Sequence, residues 1–491
     1  MEAWRRGGGA LLRGGTPGRR IRDVLDWAPS GWVLPNPPPL TWPPPGRSLP
    51  GRSPLDWSLL DWSLLAGSRP MVAAVAAGAV ALAALLAGRG GPWWLRRVPV
   101  AAAVAVVPVA VAVPVLRRWG PVRDPLPPVV PLCAAVALLA LALAATRLLA
   151  RPRRARRLAW VPAAVVVVLA CAELVNAHYG QYPTVRAALG LPSWTQTTLD
   201  QVLPPGQPVA ATAGDTPLDS TWNPPKNLPA TGVVAPVTIP GRVSRFPARP
   251  GWVWLPPAYR VSPRPLLPVL VLVNGQPGNP RDWLDGGLLA RRMDRYAAAH
   301  RGLAPVVVVP DDLGGTLDNP MCLDSHLGNA RTYLARDVPD WVTATLQVDP
   351  APRAWAFGGF SHGGTCAVQM AVTAPERYPT FLAISGEDEP RRGSREQSVA
   401  DAFGGDTAAF TAVNPRDVMA ARRFPGTAGH FVVGADDEEF RAQGERMYAA
   451  ARGAGMDVAL SVLPGGHGWE VWGPGLEQQL PWLGTRLGIT S

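Results

Sequence analysis

The sequence predicts an α/β domain with a mostly parallel sheet, preceded by an all-helical bundle of about four transmembrane helices. Three observations support this prediction. Four long uncharged apolar stretches precede residue 180, short β-branched stretches alternate with amphipathic ones after residue 250, and the excess positive charge is confined to the first region. Residues 1–179 hold 21 arginines and 7 acidic residues, whereas residues 180–491 hold 26 basic and 29 acidic residues. The basic excess therefore flanks apolar segments, as in membrane proteins, and does not line a folded face as in nucleic-acid-binding proteins.

The four apolar stretches are each close to the roughly 20 residues that cross a bilayer. They are apolar on all sides, unlike the helices that cover a soluble core, and tryptophans flank them, as at membrane interfaces. A set of buried helices in one large soluble domain is the alternative, but four such stretches in succession are rare outside membranes. The stretches are residues 71–88, 98–116, 126–146 and 158–172.

Arginine counts in the loops predict the orientation of this bundle. The loops after the first and third stretches hold nine arginines, and the opposite side holds five, counting those close to the first stretch. Because cytoplasmic loops are enriched in Lys and Arg, we expect a multi-pass protein of the cell membrane with its C-terminal domain outside the cytoplasm. The predicted organisation is a disordered tail (1–70), the membrane region (71–177), a Pro-rich linker and domain entry (178–250) and the α/β domain (251–491).

The α/β domain is predicted from alternating patterns. Short β-branched stretches separated by longer amphipathic ones indicate βαβ units and a mostly parallel sheet. The predicted strands are residues 252–255, 269–273, 306–309, 354–357, 381–384, 431–433 and 458–463. The predicted helices are residues 283–299, 330–346, 362–374, 438–454 and 476–487.

The clearest chemical signal is the pentapeptide G-F-S-H-G that runs from Gly359 to Gly363, between a predicted strand and a predicted helix. In that context G-x-S-x-G forms a tight turn that exposes its serine as a nucleophile, and the glycines avoid clashes within the turn. Ser361 is therefore the candidate nucleophile. The alternative is an ordinary glycine-rich turn whose serine caps a helix.

A serine nucleophile needs a general base, and the base needs a carboxylate that orients it. His467 is the candidate base because it follows the last predicted strand, and ligands bind at the carboxyl ends of parallel strands. The acid is expected after the preceding strand, where Asp436 and Asp437 are both candidates. Asp437 directly precedes the next helix, from which it can turn back toward the sheet.

Two backbone N–H groups must stabilise the oxyanion of the reaction. In this type of site one belongs to the residue after the nucleophile, here His362, and the other to a loop after an early strand. The loop at residues 273–278 follows such a strand, and Gln276 is its expected donor. The sequence contains no phosphate loop, dinucleotide fingerprint or zinc-protease motif, so no cofactor and no metal are expected.

Residues from about 240 to 488 resemble the esterase group of α/β-hydrolases, which includes esterase D (S-formylglutathione hydrolase) and the secreted mycolyltransferases of actinobacteria. The segments that carry the resemblance are residues 271–278, 329–338, 358–365 and 463–469. The chain also resembles actinobacterial esterases with several N-terminal spans, although Asn274 stands where the group often has His. The resemblance implies an α/β-hydrolase fold and ester or thioester hydrolysis, or acyl transfer. In this group the acid commonly stands three residues after the glycine that ends its strand, which favours Asp437.

The expected function is that of a membrane-anchored serine esterase acting at the outer face through Ser361, Asp437 and His467. Its expected partners are the bilayer and an ester substrate, either a lipid or an acylated component of the cell envelope. The alternatives are an acyltransferase of envelope lipids or sugars and a non-catalytic envelope-binding protein on a hydrolase fold.

Cys322 and Cys366 are expected either to form a disulfide in the oxidising exterior or to remain buried thiols. Cys366 lies in the helix after the nucleophile. Cys322 lies in the loop after the strand at 306–309, which is expected to neighbour the nucleophile strand.

Overall fold

The computed structural model describes residues 57–87, 90–119, 126–149, 160–202, 204–214 and 216–491. Most of the predicted tail, residues 1–56, lies outside them. The rest of that segment forms a 3₁₀ turn at Trp57–Asp61 and the start of the first long helix.

The N-terminal region contains four helices that are long and apolar enough to cross a membrane, as the sequence predicts. Helix α1 packs against α4, α4 against α3, and α3 against α2. Gly78 of α1 allows the closest approach, because a Cβ there would overlap the Cβ of Ala170 in α4. The four helices are α1 (Arg69–Leu86), α2 (Val98–Trp119, preceded by a π-helical turn at Trp93–Arg97), α3 (Val129–Leu149) and α4 (Trp160–Tyr179).

Arg147, near the end of α3, joins three other helix ends at one side of the bundle. Its guanidinium donates hydrogen bonds to the carbonyls of Leu85 (2.8 Å) and Ala87 (3.0 Å), which lie at the end of α1. The same guanidinium carbon lies 4.3 Å from the ring centroid of Trp93 and 4.2 Å from that of Trp160, at the starts of α2 and α4. One cation thus satisfies the last carbonyls of α1 and fixes the relative positions of these ends.

An eight-stranded sheet forms the centre of the C-terminal domain, in the order β8-β7-β6-β5-β3-β4-β2-β1. Only the pairings of β2 with β1 and β4 are antiparallel; the other pairings are parallel. The predicted α/β-hydrolase fold with a mostly parallel sheet is therefore confirmed. The strands are β1 (Val233–Val237), β2 (Gly251–Leu255), β3 (Val269–Val273), β4 (Val306–Val309), β5 (Trp355–Phe360), β6 (Thr380–Ile384), β7 (Ala428–Gly434) and β8 (Asp457–Leu463).

The sheet begins earlier in the chain than the predicted domain start at residue 251. Strand β1 lies within the segment predicted as a linker and domain entry, and it forms the edge of the sheet beside β2. Pro236 has no N–H to donate to a neighbouring strand, which suits a strand at the edge of the sheet. A proline also weakens the strand pattern of the sequence, so β1 was not predicted. Two short strand pairs lie outside the main sheet, Val209–Thr212 with Arg264–Leu266 and Asp324–Ser325 with Gly328–Asn329.

Two groups of helices pack around the sheet: α8 lies against α16, and α11 lies with α14 and α15. The core between them includes β3, in which all five residues are fully buried. The remaining helices are α5 (Val185–Ala188), α6 (Leu218–Thr221), α7 (Asp282–Asp285), α8 (Leu289–Ala299), α9 (Ala330–Thr332), α10 (Val338–Thr345), α11 (His362–Thr373), α12 (Arg395–Phe403), α13 (Thr407–Thr411), α14 (Pro415–Ala421), α15 (Glu438–Gly453) and α16 (Trp469–Arg486). A π-helical turn, Tyr333–Asp337, joins α9 to α10 within the predicted helix at 330–346.

The predicted helix at 283–299 is interrupted after its first turn. Gly286 and Gly287 separate α7 from α8, and a Cβ at either position would overlap the indole of Trp469. Leu288 follows with φ +48°, a left-handed conformation that α-helices do not continue through. The break therefore results from the close packing of this turn against Trp469.

Cys322 and Cys366 are joined by a disulfide, with their Cα atoms 5.6 Å apart. The bridge ties the loop after β4 to α11, the helix that follows the nucleophile turn. The expected reason for their proximity is wrong, however, because β3 lies between β4 and β5. The loop after β4 reaches α11 past the loop after β3, where the N–H of Gly278 donates to the Thr316 carbonyl at 3.0 Å.

Candidate active site

Ser361 stands in the tight turn between β5 and α11, at the carboxyl end of the sheet. Its backbone has φ +54° and ψ −122°. This left-handed conformation is strained for a residue with a Cβ, as in a nucleophile turn. Both neighbouring glycines are required: a Cβ on Gly359 would come within 2.5 Å of Gly363, and one on Gly363 within 2.6 Å of the Val273 carbonyl oxygen.

His467 lies in the loop between β8 and α16, within hydrogen-bonding distance of the serine. Its Nε2 is 2.9 Å from Ser361 Oγ, and its Nδ1 is 2.7 Å from Asp437 Oδ2. The imidazole packs on Phe440, with ring centroids 3.8 Å apart, and its edge faces Trp472. The structure thus brings together all three residues that the sequence selects as nucleophile, base and acid.

The two adjacent aspartates have different environments. Asp437 precedes α15, and its carboxylate is buried against His467. Asp436 is exposed, and its N–H donates to the Gly465 carbonyl at 2.9 Å. A carboxylate that is to orient an imidazole must contact it directly, so the geometry favours Asp437 over Asp436.

The loop that carries Gln276 lies beside the nucleophile. A Cβ on Gly275 would lie 3.3 Å from the Cβ of Ser361, so the absence of a side chain there lets this backbone approach the serine. The side chain of Gln276 donates to the carbonyl of Leu317 at 3.0 Å. The loop of Gln276 therefore lies next to Ser361, and His362 follows the serine in the chain, so the N–H groups of these two residues remain the predicted oxyanion donors.

Asp282, in α7, forms hydrogen bonds with Asn279, the residue that follows this loop. Its carboxylate accepts hydrogen bonds from the backbone N–H of Asn279 (2.8 Å) and from the side-chain amide of that residue (2.9 Å). Burial raises the pKa of Asp282 to about 6, while the bonds from Asn279 and Gln181 act in the opposite direction. Asp282 is not recognisable from the sequence, because a carboxylate that binds a backbone loop has no motif of its own.

The side chain of His362 lies in a buried group on the far side of the nucleophile turn. Its Nε2 is 3.6 Å from Asp312 Oδ2 and 3.5 Å from Cys322 Sγ. Burial lowers the pKa of His362 to about 4 and raises that of Asp312 well above its ordinary value. Asp312, Cys322, His362 and Cys366 are near enough to share a metal ion, but the disulfide uses both sulfur atoms.

Comparisons with known proteins agree with this architecture. Residues 248–483 match the family described as "Putative esterase". An uncharacterised protein of Corynebacterium glutamicum is 33% identical over 379 residues, which cover 76% of this chain and 85% of the relative.

Two solved structures are similar to the chain at lower identity. A ferulic acid esterase has 21% identity and a TM-score of 0.47, covering 52% of this chain and 99% of its own. An S-formylglutathione hydrolase from Agrobacterium tumefaciens has 19% identity and a TM-score of 0.45, covering 53% and 98%.

Proposed function

Because the chain belongs to the esterase family of α/β-hydrolases, we propose that it is a membrane-anchored serine esterase that hydrolyses carboxylic esters or thioesters. The observation that carries the proposal is the position of His467, 2.9 Å from Ser361 Oγ and 2.7 Å from Asp437 Oδ2. A hydroxyl, an imidazole and a buried carboxylate in this order form the unit that activates a serine for acyl transfer.

In the first step, Ser361 Oγ attacks the carbonyl carbon while His467 Nε2 accepts the hydroxyl proton. Asp437 holds the Nδ1 proton of the imidazole and stabilises its positive charge. The N–H groups of His362 and Gln276 donate to the oxyanion. His467 then passes its proton to the leaving alcohol or thiol, and the acyl group stays on Ser361.

In the second step, water replaces the alcohol. His467 accepts a proton from water as the water oxygen attacks the acyl carbon, and the Ser361–acyl bond breaks with return of that proton to Oγ. If the hydroxyl of a lipid or sugar attacks in place of water, the same groups carry out acyl transfer to an envelope component, so the products distinguish the two activities.

Turnover of chromogenic esters is the direct test of this function. The purified full chain is expected to hydrolyse esters of short, medium and long fatty acids with first-order dependence on enzyme concentration. The ranking of acyl lengths reports the substrate class. A chain that cleaves none of these esters and binds them with no covalent serine adduct would instead fit the non-catalytic envelope-binding alternative.

We further propose that the catalytic domain lies outside the cytoplasm. The loop after the third span is the most arginine-rich. Arg147, at the start of that loop, lies at the end of the bundle where α1 ends and α4 begins. The hydrolase domain follows the opposite end of α4. Because Lys and Arg are enriched on the cytoplasmic side of a membrane, we expect the arginine-rich end of the bundle to face the cytoplasm and the domain to lie on the other side. A membrane location is supported by the exposure of the spans. In the most apolar 18-residue stretch of each helix, at most 22% of the residues are buried by other parts of the protein.

The topology is tested with C-terminal reporter fusions. A phosphatase that is active only after export is expected to be active when fused to the chain, and a fluorescent protein that folds only in the cytoplasm is expected to stay dark. The reverse pattern, an inactive phosphatase with a bright fluorescent fusion, would place the domain in the cytoplasm.

A further inference from the structure

The chain enters and leaves the helix bundle at the same end. The segment before α1 lies against the segment after α4, because the N–H of Leu64 donates to the Pro183 carbonyl at 3.0 Å. Asn176, in the last turn of α4, donates to the Leu64 carbonyl at 3.3 Å. This end of the bundle is therefore a closed, hydrogen-bonded junction, and it is the end to which the hydrolase domain is attached.

Gln181 connects that junction directly to the hydrolase domain. It stands two residues after the end of α4, and its side-chain amide makes two hydrogen bonds. It donates to Asp282 Oδ1 at 2.8 Å and accepts from the indole N–H of Trp469 at 2.8 Å. Gly180 lies just as close, because a Cβ there would be 3.3 Å from the Cβ of Trp469. Helix α4 thus ends in contact with the domain.

Both partners of Gln181 border the catalytic groups. Trp469 follows His467 by two residues, and its ring lies 4.6 Å from that of Phe360, the residue before the nucleophile. Asp282 holds Asn279 in the loop that carries Gln276. Two side-chain contacts therefore connect the end of α4 to the residue before Ser361: Gln181 contacts Trp469, and Trp469 contacts Phe360. If α4 spans the bilayer, its end lies in the polar layer, which is roughly 5–8 Å deep on each side.

Exposed apolar side chains lie at the junction and beside the loop of Gln276. Trp62 (50% exposed), Leu65 (42%) and Tyr182 (41%) lie at the junction, where aromatic rings suit a membrane interface. Leu317 is 48% exposed, and its carbonyl accepts the hydrogen bond from the Gln276 side chain. Leu317 thus places an exposed apolar side chain beside the loop of Gln276, where it can contact an acyl chain.

We propose that the enzyme takes its substrate from the bilayer: an acylated amphiphile whose chain remains in the leaflet while its ester stands at headgroup level beside Ser361. This proposal rests on the proposed esterase function and names its substrate class. Hydrolysis would release the polar alcohol to water and leave the fatty acid in the membrane.

Surface-dilution kinetics test the proposal on the full chain in liposomes of ether-linked phospholipid, which the enzyme cannot hydrolyse. The probes are a long-chain fluorogenic ester, which partitions into the liposomes, and the acetate of the same fluorophore, which stays in water. At constant total ester, about tenfold more ether lipid should lower the long-chain rate about tenfold, because its local concentration in the membrane falls in proportion. The acetate rate should stay within about twofold.

A pair of variants tests the role of the Leu317 side chain. Leu317→Asp replaces this apolar side chain with a charge, which contact with an acyl chain disfavours, so the ratio of long-chain to acetate turnover should fall about tenfold. Val243→Asp is the matched control, because Val243 is also an exposed aliphatic residue of the hydrolase domain (55%) but lies in another loop, where its N–H donates to Asp337. It should leave the ratio unchanged.

If the preparation hydrolyses the acetate but its long-chain rate does not change on dilution with ether lipid, the proposal that the substrate comes from the bilayer is overturned. The proposed esterase function is unaffected by that result. An equal fall of the ratio in both variants would also overturn the proposal of a bilayer substrate, because the Leu317 effect would then be general. A chain that hydrolyses neither ester and takes up no fluorophosphonate would overturn the esterase function itself.

Discussion

Replacement of Ser361 by alanine is expected to lower ester turnover by about four to six orders of magnitude, because the variant has no hydroxyl to form the acyl-enzyme. The fold should be unaffected, since alanine removes one oxygen and keeps the Cβ that the turn already accommodates. The measurement is initial-rate hydrolysis of a chromogenic ester, together with labelling by a serine-reactive fluorophosphonate, which should disappear.

Ser385→Ala is the matched control for this experiment. Ser385 follows β6, the neighbouring strand, also has positive φ (+46°), and is fully buried. Its hydroxyl makes no hydrogen bond within the described part of the chain, so its loss should change turnover by less than about threefold. Activity of Ser361→Ala within tenfold of the wild-type chain would refute its role as the nucleophile.

Asp437→Asn is expected to lower turnover by about four orders of magnitude. An amide beside His467 Nδ1 favours the wrong imidazole tautomer, so that Nε2 no longer accepts the serine proton. The effect should appear in kcat, and the melting temperature should be measured alongside to confirm that the variant is folded. The expected loss is large because the 2.7 Å contact between Asp437 and His467 is the one that fixes the imidazole.

Asp436→Asn is the adjacent control and should keep turnover within about threefold, since its side chain is exposed and makes no contact with the imidazole. A large loss in Asp436→Asn with little effect of Asp437→Asn would transfer the acid role to Asp436. Ser361 and His467 would keep their roles in that case.

The sequence was sufficient for the features that depend on local patterns and chain order. Strands β3 and β4 begin and end where the β-branched stretches do, because a strand buried on both faces is apolar at every position. Ser361 is selected by its glycines, His467 by its place after the last strand, and the pair Asp436 and Asp437 by its place after the strand before it; the resemblance to the esterase group then favours Asp437. These positions follow from the order in which the parallel strands reach the carboxyl edge of the sheet.

The features that the sequence could not predict depend on contacts between distant segments. Gln181 meets Trp469 across 288 residues, and no local pattern encodes that pairing. The break between α7 and α8 follows from the indole that fills the space beside Gly286. Strand β1 was missed for a local reason, because Pro236 is tolerated at an edge strand but weakens the strand pattern.

The disulfide between Cys322 and Cys366 also has a consequence for the unfolded chain. It closes a loop across a sequence separation of 44 residues, and in the chain-entropy account such a cross-link removes unfolded conformations worth about 4 kcal/mol of free energy. That amount is a sizeable fraction of the net stability of folded domains, which is about 5–15 kcal/mol. In reducing surroundings, where such a bridge does not form, the unfolded chain keeps those conformations and the folded domain is less stable by about the same amount.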